Sequence, residues 1–235
     1  MGVKRAHMVS RSYLRGWADG DDCVRVLDLD RGRSLTQKTN QATVVSYAYN
    51  TKHTIVDLEA EFGRIESDGV PAMRSLAEGT PINLRGQEAV VAFLDMHLER
   101  GRFADQTKHV ARAVAGGLNI EPQLVEMGLG DRLALSRVVD AQAVRLLPLG
   151  ITNWRWRVES IEQGLATGDG AVLLWTGPSD GALETVTFPL TSTELLVVGA
   201  DLQAPRARLN FAIGLNCRRW IVDRVDGQLA RIFPR

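Results

Sequence analysis

Cysteine is almost missing from this chain of 235 residues: the only two, Cys23 and Cys217, stand far apart, with no CxxC beside either. That usage argues against a disulfide framework or a zinc knuckle and points to a reducing, cytoplasmic location. Net charge is missing as well, since 28 basic side chains face 28 acidic ones. A balanced chain has no broad electrostatic pull toward nucleic acid or anionic lipid, which leaves only a local nucleic-acid contact through a small basic patch. No apolar run approaches the roughly 18 residues of a membrane helix, so no membrane association is expected. The start, Met1-Gly2-Val3-Lys4-Arg5, leads into polar Ser10, Arg11 and Arg15, which is not a secretory signal pattern. GxSxG elbows, HExxH helices, Walker loops and GxGxxG fingerprints are absent too, removing the commonest acyl-transfer, zinc-peptidase and nucleotide-loop readings.

What is present is periodicity. Tyr13, Leu14 and Trp17 at one-turn spacing predict a short helical turn, and Asp28–Arg33 predicts the turn of an N-terminal hairpin over 22–37. A helical region follows over 54–148. Its first helix carries the stripe Ile55, Leu58, Phe62, Ile65, Gly69, Met73, Leu76, with a kink or restart at Pro71. A second helix is predicted from Leu84 to Val114 with the stripe Val90, Phe93, Leu94, His97, Val110 and Val114, and a third opens after Asn119, with Glu121 and Pro122 in its first turn. Residues 152–200 form a β-rich region with a turn at 177–181, and a C-terminal helix is predicted over 205–223. The fold class is therefore α+β: a helical central bundle packed with a small, mostly antiparallel sheet, in one domain over 1–235.

Polar residues on the apolar stripes attract attention, because side chains three, four or seven apart share a helix face. Glu59 and Glu66 fall on the stripe of the first helix; Glu61, Arg64 and Asp68 point elsewhere and read as solvent-facing. In the second, Phe93, His97, Arg100 and Ala104 step by four, three and four. Leu209, Ile213, Asn216 and Trp220 place Asn216 among apolar neighbours. Ionised groups so placed must be paired or hydrogen-bonded. His7 and Arg11, four apart, share a side whether the segment is helical or extended, and together suit proton transfer beside an anion clamp. His53 and His109 show no such placement. Thr167-Gly168-Asp169-Gly170 puts glycines beside one carboxylate, either a plain turn or a backbone that admits a ligand. Trp154-Arg155-Trp156-Arg157 reads as buried tryptophans alternating with solvated arginines, or as a clamp for a base.

The segment His7-Met8-Val9-Ser10-Arg11-Ser12-Tyr13-Leu14-Arg15-Gly16-Trp17 resembles the opening of an uncharacterised, mainly bacterial family, the domain-of-unknown-function family 4238, with its HxxxR pair. Glu59 and Glu66 resemble its paired-glutamate helix and Arg100 the arginine that ends its next helix. Thr167-Gly168-Asp169, Phe188-Pro189-Leu190-Thr191 and Asn216 resemble later pieces, so that the likeness runs along nearly the whole chain. Ser10 stands near the family's usual proline, and Gly168 and Gly170 replace a serine and an asparagine. The resemblance implies the outline of a site without a reaction.

Two functions follow. In the first, the chain is a metal-independent, nuclease-like hydrolase or transferase acting on a small anionic, phosphate-bearing substrate such as RNA or a nucleotide. His7 would be the general acid/base, Arg11 and Arg100 would stabilise negative charge, Glu66 or Asp169 would orient the histidine, and Asn216 would donate a hydrogen bond. No cofactor or metal is called for, because the arginines compete for any carboxylates that could ligate one. In the second, the same residues are a structural polar network in a binding or regulatory module.

Overall fold

The computed structural model describes residues 5–117, 120–139, 144–177 and 181–229. Residues 178–180, where the turn at 177–181 is expected, and Met1–Lys4 lie outside them. The chain opens with β1 (Ala6–His7) and α1 (Arg11–Leu14), whose first turn is capped by the Ser10 hydroxyl accepting from the Tyr13 amide. The expected hairpin follows as β2 (Cys23–Asp28) and β3 (Arg33–Lys38), in register from Cys23 opposite Lys38 to Asp28 opposite Arg33. A short β4 (Val44–Val45) returns to pair with β1, placing His7 opposite Val44.

Two long helices carry the centre. α2 (Leu58–Ala77) is capped by the Asp57 carboxylate, which accepts from the Ala60 amide at 3.0 Å, and buries Leu58, Phe62, Gly69, Val70 and Met73. It continues through Pro71 without a restart. α3 (Leu84–Arg102) is capped by Asn83 and buries Phe93, Leu94, His97 and Arg100. It stops twelve residues short of the expected end at Val114. What was read as helix beyond it is a β-hairpin, β5 (Ala111–Gly117) with β6 (Ile120–Met127), and only then comes α4 (Leu129–Val139). Val110 and Val114 are 60% and 69% exposed, so their four-residue spacing marks no core stripe. The opening read after Asn119 begins outside the described residues, and Glu121 and Pro122 belong to β6 instead of a helical first turn.

The second half is mainly strand: β7 (Trp156–Ser160), β8 (Thr167–Gly168), β9 (Leu173–Thr176), β10 (Leu183–Pro189) and β11 (Glu194–Gly199). The predicted helix over 205–223 is shorter: a 3₁₀ turn over 206–208 leads into α5 (Leu209–Asn216), and Trp220–Asp223 forms β12. One antiparallel sheet has the order β7-β11-β10-β9, and a second has β3-β2-β12-β8. The α+β class holds, with two four-stranded antiparallel sheets and two short ribbons among the described residues in place of one small sheet.

A single large core gathers Trp17, Phe62, Phe93, Phe188 and Val222 from all along the chain. Full burial of each large apolar side chain contributes about 1.5–3 kcal/mol. A smaller cluster lies under α5 around Leu195, Val197, Leu209 and Ile213. The close fit between α3 and the loop after β8 depends on Gly101, where a Cβ would fall 1.9 Å from the Asp169 carbonyl oxygen. Gly101→Ala is therefore expected to cost about 2–3 kcal/mol. Thermal denaturation checks this; an unchanged midpoint would show that the contact is looser than it looks.

Candidate functional site

α2 and α3 face each other with Glu66 and Arg100 across the seam. An Arg100 terminal nitrogen donates to Glu66 Oε1 at 2.7 Å, and the arginine side chain is only 3% exposed. Its guanidinium lies over the Phe62 ring at 4.3 Å and the Tyr49 ring at 5.3 Å, so apolar faces cover much of a group that water would otherwise solvate. Tyr49 donates its hydroxyl hydrogen to the His7 carbonyl at 2.7 Å, tying β1 to the same seam. Burial pushes the Tyr49 phenol well above its ordinary range, so it stays protonated as a donor.

His7 completes the cluster. Its pKa is lowered, first by burial; the Glu66 carboxylate and a backbone hydrogen bond at Thr39 oppose this, while Arg11 and Arg100 add to it. The imidazole is thus neutral at pH 7. Its Nε2 is buried and has no hydrogen-bond partner among the described residues, and the same is true of Arg100 Nε and Glu59 Oε2. Buried polar atoms normally find partners, and three unsatisfied atoms in one cluster call for explanation. Glu59 feels both Arg100 and Glu66, and burial raises its pKa. Arg11 sits at the edge, with its side chain 41% exposed, reaching Thr39 Oγ1 at 3.4 Å and Asp22 at 3.5 Å.

Asp169 and Asn216 do not join this group. The Asp169 carboxylate accepts from the amides of Arg218, Arg219 and Trp220 at 2.8–2.9 Å, fixing the turn between α5 and β12. Burial pushes its pKa up to about 6, against those three amide bonds. Asn216 donates to the carbonyls of Gly170 and Val172 at 2.7 and 3.1 Å. Both are structural ties, and the glycines beside Asp169 admit the chain's own backbone: a Cβ on Gly170 would meet the Asn216 carbonyl at 2.3 Å. Their expected catalytic roles are corrected accordingly.

His97 likewise holds the scaffold, donating from Nε2 to the Gly168 carbonyl at 2.8 Å among Tyr13, Phe93 and Phe188. Burial lowers its pKa from 6.5 to about 4. Its folded pKa lies below the unfolded one, so its stabilisation is present above pH 6.5 and is lost as pH falls toward 4. Asp169 has the opposite sign: its raised pKa gives stabilisation that is present near pH 4 and lost as pH rises through 6. His97→Gln should therefore remove about 2–3 kcal/mol of acid sensitivity between pH 6.5 and 4.5. Urea denaturation at both pH values measures it; an unchanged difference would refute the assignment.

Arg157 is held by Glu159 and by the carbonyls of Gly199 and Ala200, while Trp156 donates to the Ile151 carbonyl. Arg155 remains 73% exposed. Sequence reasoning missed Tyr49, which lies in an aperiodic loop. It also missed the second ion network, in which Arg137 joins Glu61 of α2 to Glu99 of α3. Among the described residues no group of three or more His, Cys, Asp or Glu side chains is placed to hold a metal ion. No described helix is long and apolar enough to cross a membrane.

The fold and this seam define an α+β protein with a partly buried cluster of charged and polar side chains built from its N-terminal strand, one loop and two helices. Residues 5–115 match the family described as Protein of unknown function (DUF4238), and the resemblance is shown over that stretch. It contains His7, Arg11, Tyr49, Glu59, Glu66 and Arg100. The pieces read as similar at 167–169, 188–191 and 216 lie outside it. No curated protein and no solved structure matches the chain.

Proposed function

We propose that the protein is a metal-independent hydrolase or transferase, nuclease-like in its chemistry, acting on a phosphate-bearing substrate such as RNA or a nucleotide. The observation that carries this reading is that two of the three buried atoms left without a partner among the described residues, His7 Nε2 and Arg100 Nε, are an imidazole nitrogen and a guanidinium donor in one cluster. A neutral imidazole can take the proton of an attacking water or hydroxyl at Nε2 and return it to the leaving oxygen. Arg100 Nε–H donates to a phosphate oxygen as charge develops, while Glu66 holds the guanidinium in place. Arg11 adds a second positive charge at the rim. Zero net charge fits a small ligand or a short, local nucleic-acid contact better than a broad one.

The alternative, a binding or regulatory module with a structural polar network, draws its support from Asp169, Asn216 and the Arg100–Glu66 pair, all of which hold the scaffold together. The test is turnover of phosphomonoesters, phosphodiesters and RNA in the presence of a chelator. Activity that survives chelation and is lost in His7→Ala supports the enzyme; activity indifferent to His7 sinks it.

A further inference from the structure

A cavity of about 630 Å³ opens beside the cluster, between the loop after β4 and the first turn of α2. Its volume lies within the usual range for small-molecule sites. The lining is rich in hydrogen-bonding groups: Tyr49, Asn50, Thr51, Thr54 and Glu59 all contribute. Two of them bring buried atoms that have no partner among the described residues, Thr54 Oγ1 and Glu59 Oε2. Asp57, on the same wall, is already engaged as the cap of α2.

The loop that forms the opposite wall is held from outside the cavity. Asp131 of α4 accepts from the amides of both Lys52 and His53 at 2.8 Å, and Asp131 is fully buried. The cavity is thus a built feature with a fixed wall. Glu59 lines it and also feels the charges of Arg100 and Glu66, so it stands where the cavity and the acid–base cluster meet.

A carboxylate with a free oxygen, close to a second carboxylate, repels an anion but accepts readily from neutral hydroxyls. A neighbouring threonine hydroxyl can donate or accept. Carboxylates bind ribose hydroxyls in this way elsewhere, and the 2′-hydroxyl is the group that distinguishes ribose from deoxyribose. We infer that this cavity binds the ribose hydroxyls of a phosphate-bearing substrate, with Glu59 and Thr54 as the hydroxyl-reading residues and the phosphate placed toward Arg100. This inference rests on the phosphate reading above and adds the sugar to it.

The experiment measures the affinities of wild-type protein for ribose 5-phosphate, 2-deoxyribose 5-phosphate and inorganic phosphate. It repeats them with Glu59→Gln, Thr54→Val and Arg100→Met, each confirmed as folded by circular dichroism. Wild-type protein is expected to favour ribose 5-phosphate over its deoxy counterpart by about tenfold, the scale of one hydrogen bond to a charged group. The ratio should fall toward one in Glu59→Gln and decrease in Thr54→Val. If wild-type protein binds all three probes equally, and Arg100→Met weakens them all, the ribose inference is overturned while the phosphate reading stands. A ribose preference that depends on Glu59, with no affinity for inorganic phosphate and no effect of Arg100→Met, would keep the hydroxyl pocket and overturn the phosphate reading. Failure of every probe to bind at millimolar concentration would overturn both.

Discussion

Replacing Glu66 with methionine should lower the stability of the protein by about 3–5 kcal/mol, because the change strands a buried guanidinium. Arg100 is 3% exposed, its bond to Glu66 is 2.7 Å long, and its other surroundings include the faces of Phe62 and Tyr49. Aromatic faces soften the loss without replacing a carboxylate. Arg100→Met should cost less, since the Glu66 side chain it leaves behind is 22% exposed and can be hydrated. The double variant Glu66→Met/Arg100→Met should regain most of the loss, as an apolar pair of similar volume often does. Chemical denaturation of the four proteins gives the coupling directly. A Glu66→Met cost below about 1 kcal/mol would mean that water reaches the guanidinium and the seam is not closed.

The second large effect concerns turnover. With a phosphate-bearing substrate in hand, His7→Ala should reduce the rate by about 10²–10⁴, the usual worth of general acid–base catalysis. The variant should stay folded at a cost of about 1 kcal/mol, because the imidazole gives up one hydrogen bond at Thr39 while its Nε2 makes none among the described residues. The pH profile supplies a readout that a structural role would not move. Burial holds the His7 pKa below 6.5, so wild-type kcat/KM should rise with pH along an acid limb lying below 6.5 and then level off. In His7→Ala that limb should disappear. A variant that keeps both its rate and its acid limb would assign the proton transfer to another group.

The parts of this site that the sequence disclosed are those governed by a helical period. Glu59, Glu66 and Arg100 come together because steps of three and four bring them to the faces where α2 and α3 meet. The same steps correctly put His97 against the core but not Asn216, which is exposed at the end of α5; spacing also gives a direction and not a partner. Asn216 proved to be satisfied by two carbonyls, His97 by one, and Asp169 by three amides. Tyr49 lies in a loop without any period, so only the fold reveals its hydroxyl on the His7 carbonyl. The hairpin mistaken for helix has a simple cause. Val110 and Val114 are four apart, as one helical turn requires, yet both are exposed, Val110 just ahead of β5 and Val114 within it. Likewise Leu209 and Ile213 belong to a true helix, while Trp220, continuing the same arithmetic, begins a strand that β2 and β8 recruit by pairing.

That recruitment bears on how the molecule comes into being. β12 inserts between β2 and β8, so the sheet beneath the N-terminal strands cannot close until residues 220–223 have been synthesised. The residues of the His7–Arg100 cluster are all made within the first hundred positions, yet the ground they stand on includes Phe188, Val222 and the Gly168 carbonyl that anchors His97. Contacts over such long separations slow folding and leave partly folded chains exposed. A nascent chain therefore carries the His7–Arg100 cluster early but cannot complete the core beneath it until its last strand is made.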